Sequence, residues 1–160
     1  MNASVIPIQI KAVVPANAGR AVFLGNDEKV FVIYVDRSVG DAIQMFMDGT
    51  PKERPLTHDL MASFLAAFGA HVERIVINDI QGSTYYARII LIAENELMQK
   101  KIIEIDARPS DSMALAVQQR APIYVTRAVW DEVEDMSEIV RSLENRALPE
   151  EEEPESEDTD

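Results

Sequence analysis

The 160-residue sequence contains no cysteine. That excludes disulfides and thiolate metal sites together, and it fits a reducing compartment. Long apolar runs are missing too: none approaches the roughly 18 residues that a membrane helix needs. The N-terminal stretch MNASVIPIQI lacks the basic segment followed by an apolar one that marks a signal peptide. The expectation is a soluble, cytoplasmic protein with no membrane partner. Positive charge is scarce, with 15 Lys and Arg against 28 Asp and Glu and a net charge of −13. The deficit is local, however. Residues 150–160, EEEEPESEDTD, hold 8 acids and no base, whereas residues 1–129 hold 14 acids and 13 bases. The body is near neutral, so the overall acidity does not exclude an anionic ligand there.

What the sequence does have is apolar content, 47%, enough to bury one core. Residues 5–14, 20–24 and 30–35 read as strands separated by the turns PANAG and GNDEK; VFVIYV (30–35) is apolar almost throughout, as in a strand covered on both faces. Ser38 with Asp41 resembles a capping box. The short helix that follows should turn Ala42, Ile43, Phe46 and Met47 inward and stop at Gly49. Thr57 is the expected N-cap of a second helix, whose Leu60, Met61, Phe64, Leu65 and Phe68 share one face. HVERIVIND (71–79), TYYARIILIA (84–93) and KIIEIDA (101–107) are strands, and Ser110 is the expected cap of a helix over MALAVQQ. APIYV (121–125) is a last buried strand. Apolar residues at 129, 133, 136, 140 and 143 suit one or two surface helices. The methionines at 45, 47, 61 and 113 stand at core spacings. The pattern predicts an α+β fold. It is a single domain over 1–129 with a mixed, largely antiparallel sheet and a few short helices, then a helical segment over 130–148. Residues 149–160 should form a disordered acidic tail.

Polar residues gather beside apolar elements in three places: RPLTHD (54–59), YAR (86–88) and DARPSD (106–111). Two of these are helix starts, where free N–H groups and the positive dipole end suit a phosphate. Arg54, Arg88 and Arg108 offer planar forks for phosphate oxygens, with Ser110 beside them. Asp59, Asp106 and Asp111 are candidate carboxylates for a divalent metal such as Mg²⁺ or Mn²⁺, and His58 for moving a proton near neutral pH. Together these make a kit for phosphodiester cleavage with no organic cofactor. Each also has a plainer role. Thr57 and Ser110 are good caps, Asp59 and Asp111 favour helix dipoles, and Arg88 can pair across the sheet with Asp106 or Glu104.

The stretches ERPLTHDL (53–60), TYYARI (84–89) and IDARPSDSMALAVQQRAPIYV (105–125) resemble, in order and spacing, the motifs of the bifunctional nuclease (BFN) domain family. The likeness runs over about residues 5–127. It implies a single α+β domain, often oligomeric, with nuclease activity on DNA and RNA. The residues that match its polar motif are Arg54, His58, Asp59, Asp106, Arg108, Ser110 and Asp111. The chain departs from the family at VIYVDRSVGDAI (32–43), where Val39 replaces an acidic residue and Gly40 an alanine.

Two further expectations stand beside the nuclease. One is a non-catalytic module that binds an anion or nucleic acid with the same arginines, the acidic tail competing for the cleft. The other is a homo-oligomer, a dimer foremost, built on the apolar strands VFVIYV and PIYV.

Overall fold

The structure, a computed structural model, describes residues 4–147; the expected acidic tail lies outside them. Strand β1 (Val5–Ala16), β2 (Gly19–Gly25) and β3 (Val30–Val35) form an antiparallel meander. Helices α1 (Arg37–Asp48) and α2 (Thr57–Ala67) follow, then the long hairpin β4 (Ala70–Gln81) and β5 (Thr84–Glu94) and strand β6 (Lys100–Ala107). Helix α3 (Pro109–Gln119), strand β7 (Ile123–Thr126), α4 (Arg127–Glu132) and α5 (Ser137–Ala147) complete the chain. The strands form one seven-stranded sheet in the order β3-β2-β1-β7-β4-β5-β6. Every pairing is antiparallel except β4 with β7. This is the mixed, largely antiparallel α+β domain that the sequence pattern predicts.

The core joins the meander to the hairpin. Val22, Leu24, Phe31 and Ile33 pack in one cluster with Ile75, Ile77, Ile89 and Leu91 and with Met113 and Leu115 of α3. Packing of this density makes the interior sensitive to a single methylene. The segment after β7 is part of that packing. Val129, Trp130 and Val133 belong to the main cluster, and Val140 of α5 closes a smaller one with Ala21, Phe23 and Val30.

The helix starts differ from the sequence expectations. Helix α1 begins after Asp36, and its cap carries no side-chain bond; Asp41 pairs with Arg20 at 2.8 Å instead of closing a box on Ser38. Leu56, not Thr57, holds the N-cap position of α2, and the capping bond comes from Asp59, whose carboxylate accepts the Leu56 N–H at 2.8 Å. Arg108, not Ser110, precedes α3, with Pro109 as its first residue. Proline suits that place because the first helical N–H needs no partner. Helix α1 does end at Gly49, with φ of 64°. Met47 is exposed rather than inward, as are Met61 and most of the α2 face; Met113 is fully buried. β7 lies in the middle of the sheet, so PIYV has no free edge to offer a partner. β3 is an edge, but its first residue is already tied, with Val30 N–H on Asp135 and Val30 C=O accepting from Met136 N–H.

Candidate active site

Two helix starts converge. The loop entering α2 and the junction between β6 and α3 lie side by side, although 53 residues separate their key side chains. His58 Nε2 lies 3.0 Å from Asp111 Oδ1. Arg108 Nε donates to the other oxygen, Oδ2, at 2.9 Å, and its Nη1 donates to Asp36 at 3.2 Å. His58 is only 6% exposed, with the Phe46 ring edge-on at 6.5 Å. Arg108 stands largely in solvent.

The electrostatics follow from these contacts. Burial works against ionising Asp111, but the bonds from Arg108 and His58 outweigh it and hold its carboxyl below the ordinary value. Hydrogen bonding to Asp111, with help from Asp36, raises Arg108 further. An ionised Asp111 can only accept, so the proton between it and His58 sits on Nε2. That leaves Nδ1 with the lone pair in the neutral ring.

Asp59 sits one residue further along α2. It accepts from Leu56 N–H, from Lys52 Nζ at 3.2 Å and from Gln118 Nε2 at 3.0 Å. Burial opposes its ionisation, and these bonds prevail, so this carboxyl too lies below its ordinary value. The Gln118 bond ties α2 to α3.

The site opens into a hollow of about 620 Å³. His58, Asp106, Arg108 and Asp111 line its polar end; Met61, Phe64, Leu65, Ile89, Leu91 and Leu115 make an apolar wall. Arg108 and Ser110 also line a second hollow beside it, together with Asp36 and Tyr85. The remaining sequence candidates stand apart from the His58–Asp111–Arg108 contacts. Arg88 and Asp106 are opposite each other in register, yet no ion pair joins them among the described residues. Strand alternation places them on the face away from Ile105 and Ala107. Arg54 is exposed on the loop. Ser110 is buried in the first turn of α3.

The expected metal set is not assembled. Among the described residues no three His, Asp or Glu side chains group as a site able to hold a metal ion. Asp59 and Asp111 each have both oxygens engaged by protein donors. Asp106 is exposed and carries no protein partner among the described residues. Val39, where the family motif has an acid, is a core residue here.

Lys52, Gln118 and Asp36 were not among the sequence candidates. Each acts through a long-range or loop contact that spacing alone does not reveal, although Lys52, two residues before Arg54, lies in the same polar loop.

The fold thus couples a buried histidine to a carboxylate and an arginine where two helices begin. The chain belongs to the bifunctional nuclease domain family, whose sequence profile matches residues 22–138. It is also similar to two proteins from different strains of Mycobacterium tuberculosis, Uncharacterized protein MT1877 and Uncharacterized protein Rv1829. It is 36% identical to each over 104 residues, 65% of this chain and 58% of theirs. The chain thus spans less than two thirds of the relatives it matches. Among the described residues no helix is long and apolar enough to cross a membrane.

Proposed function

We propose that the protein cleaves phosphodiester bonds of DNA and RNA at the His58–Asp111–Arg108 hollow. The observation that carries this is the 3.0 Å contact between His58 and Asp111 at the mouth of an open cavity; membership of the family supports it. Asp111 holds the ring in the tautomer that leaves Nδ1 free. Nδ1 takes the proton of an attacking water as the water oxygen bonds to phosphorus and the bond to the departing sugar oxygen breaks, and that oxygen takes up a proton from solvent. Arg108 uses Nε and Nη1 on Asp111 and Asp36, and turns Nη2 to a phosphate oxygen. Arg54, exposed on the loop before α2, would extend the clamp along the substrate backbone, and Ser110 the floor of the neighbouring hollow; Arg88, on the opposite face of the sheet, takes no part. The apolar wall, Phe64 above all, suits an unstacked base. Asp59 supports the site by holding α2 rather than by touching substrate. A Mg²⁺ or Mn²⁺ ion arriving with substrate phosphates would find Asp106 as its available carboxylate, since Mg²⁺ commonly takes only one or two carboxylates besides phosphate.

The test is cleavage of single-stranded DNA, duplex DNA and RNA by the purified full chain and by His58→Ala, each with Mg²⁺, Mn²⁺ or EDTA. General acid–base catalysis contributes about 10²–10⁴-fold, so the variant should lose at least about 10²-fold. Activity equal to that of the parent chain would contradict the proposal.

The engaged oxygens of Asp59 and Asp111 favour a second reading, a nucleic-acid-binding module without turnover. It predicts salt-sensitive binding that falls in Arg108→Ala, with no cleavage in any metal condition. Under that reading, removing residues 149–160 should tighten binding.

A further inference from the structure

A second hollow opens on the other side of Arg108. Strands β3 and β5 are not neighbours in the sheet, yet Tyr85 stacks on Phe31 with ring centroids 6.0 Å apart. The sheet folds over on itself at β1, which pairs with β7 before a bulge and with β2 after it; a bulge bends its strand. The tip of the β4–β5 hairpin therefore stands over the end of β3. Between them and the start of α3 lies a space of about 480 Å³, whose lining includes Val35, Asp36, Ser83, Tyr85, Arg108 and Ser110. Arg108 also lines the first hollow, with His58 and Asp111. A phosphate on Arg108 thus has a recess on each side.

The two recesses differ in chemistry. The first has an apolar wall. The second offers hydroxyls and one carboxylate. Ser110 is 7% exposed, and its hydroxyl makes no hydrogen bond among the described residues. Ser112, two residues on, donates its own to the Arg108 carbonyl oxygen at 2.8 Å. A buried hydroxyl left unpaired costs stability until something supplies a partner. Asp36 accepts from Arg108 on one oxygen, Oδ2, at 3.2 Å; its other oxygen takes no protein bond among the described residues. Ser83, in the hairpin turn, adds a second hydroxyl to the lining.

The charges decide what fits. The start of α3 alone would favour an anion. Asp36 stands in this recess, however, and Asp111 in the first turn of the helix, so a second phosphate would meet two carboxylates. A neutral group that both donates and accepts fits instead. The ribose next to the phosphate on Arg108 is such a group. A carboxylate accepts from a sugar 2′-hydroxyl, and the hydroxyl oxygen can accept from Ser110 in turn. Deoxyribose lacks that hydroxyl and would leave both side chains unpaired.

Resting on nucleic-acid binding at Arg108, we propose that the hollow between β3 and the β4–β5 hairpin is a ribose subsite. Asp36 and Ser110 hold the 2′-hydroxyl of the nucleotide on one side of the bound phosphate. The base of the nucleotide on the other side enters the apolar hollow. The protein therefore prefers RNA to DNA, whether or not it cleaves either.

The experiment is fluorescence anisotropy in EDTA with the full chain carrying His58→Ala, so that the probes stay intact, and circular dichroism to verify the fold of each variant. Three labelled single strands share one sequence: RNA, DNA and 2′-fluoro RNA, which keeps the ribose pucker but has no hydroxyl to donate. RNA should bind about tenfold more tightly than either of the others, as expected for one hydrogen bond to a charged group. Adding Asp36→Ala should bring the three affinities together, and Ser110→Ala should narrow the gap. RNA and DNA bound equally, both with salt sensitivity, would overturn the ribose subsite and leave the phosphate site standing. RNA and 2′-fluoro RNA bound equally would overturn it too, because strand shape rather than the hydroxyl would then be read. So would an RNA preference that survives both substitutions. No binding of any strand would overturn the subsite and the nucleic-acid reading together.

Discussion

Two aspartates, one in the first turn of α2 and one in the first turn of α3, do different work. Asp111 faces His58 and Arg108; Asp59 faces Leu56, Lys52 and Gln118. Both carboxyls lie below their ordinary values in the folded chain. Their ionised form is therefore favoured by folding. The stability they contribute is fully present above the unfolded carboxylate value of about 3.9 and drains away as pH falls through the folded value. Melting temperatures of the parent chain should be flat near neutrality and drop below about pH 4. Asp111→Asn should destabilise the fold at pH 7 by about 1.5–3 kcal/mol, the worth of hydrogen bonds to a charged group, so the melting temperature falls and the acid limb flattens. Melts of both proteins from pH 3 to 7 check this; parallel curves would contradict it. Asp59→Ala removes the acceptor at the start of α2 and should cost about 1 kcal/mol, readable as a shifted denaturant midpoint.

Elements were legible in the sequence where one local signal fixed them. VFVIYV became β3 with the expected bounds, and Gly49 ends α1 as its αL freedom allows. Helix starts shifted by one or two residues because the bonds that fix them are not local. Asp36, for instance, leaves its own helix uncapped and binds Arg108, 72 residues away. The convergence of RPLTHD and DARPSD could be guessed from shared polarity. The Gln118–Asp59 bond between the two helices could not, because it depends on how α2 and α3 pack. The apolar face of α2 was visible in its spacing, but spacing cannot say whether a face is covered within one chain. Gly69, between α2 and β4, has φ of 70°, and a Cβ there would stand 2.4 Å from the Glu94 carbonyl oxygen. Gly69→Ala should therefore destabilise by about 1–3 kcal/mol through strain and crowding, seen as a lower midpoint with the slope unchanged.

At the scale of the whole molecule, the fold brings two distant polar stretches to one end of an otherwise apolar hollow, and ties the segment after β7 into the same core. Net charge gives no guide to the site, since the acids are concentrated in residues 150–160 and the body is balanced. The central claim is that His58 and Asp111 act as one device. The measurement that tests it most directly is a double-mutant cycle in nucleic-acid cleavage with His58→Ala, Asp111→Asn and the two combined. Residues that act as a unit are non-additive. The combined variant should therefore be no slower than His58→Ala alone, within about threefold. Losses that multiply, or an Asp111→Asn enzyme as fast as the parent, would contradict the account.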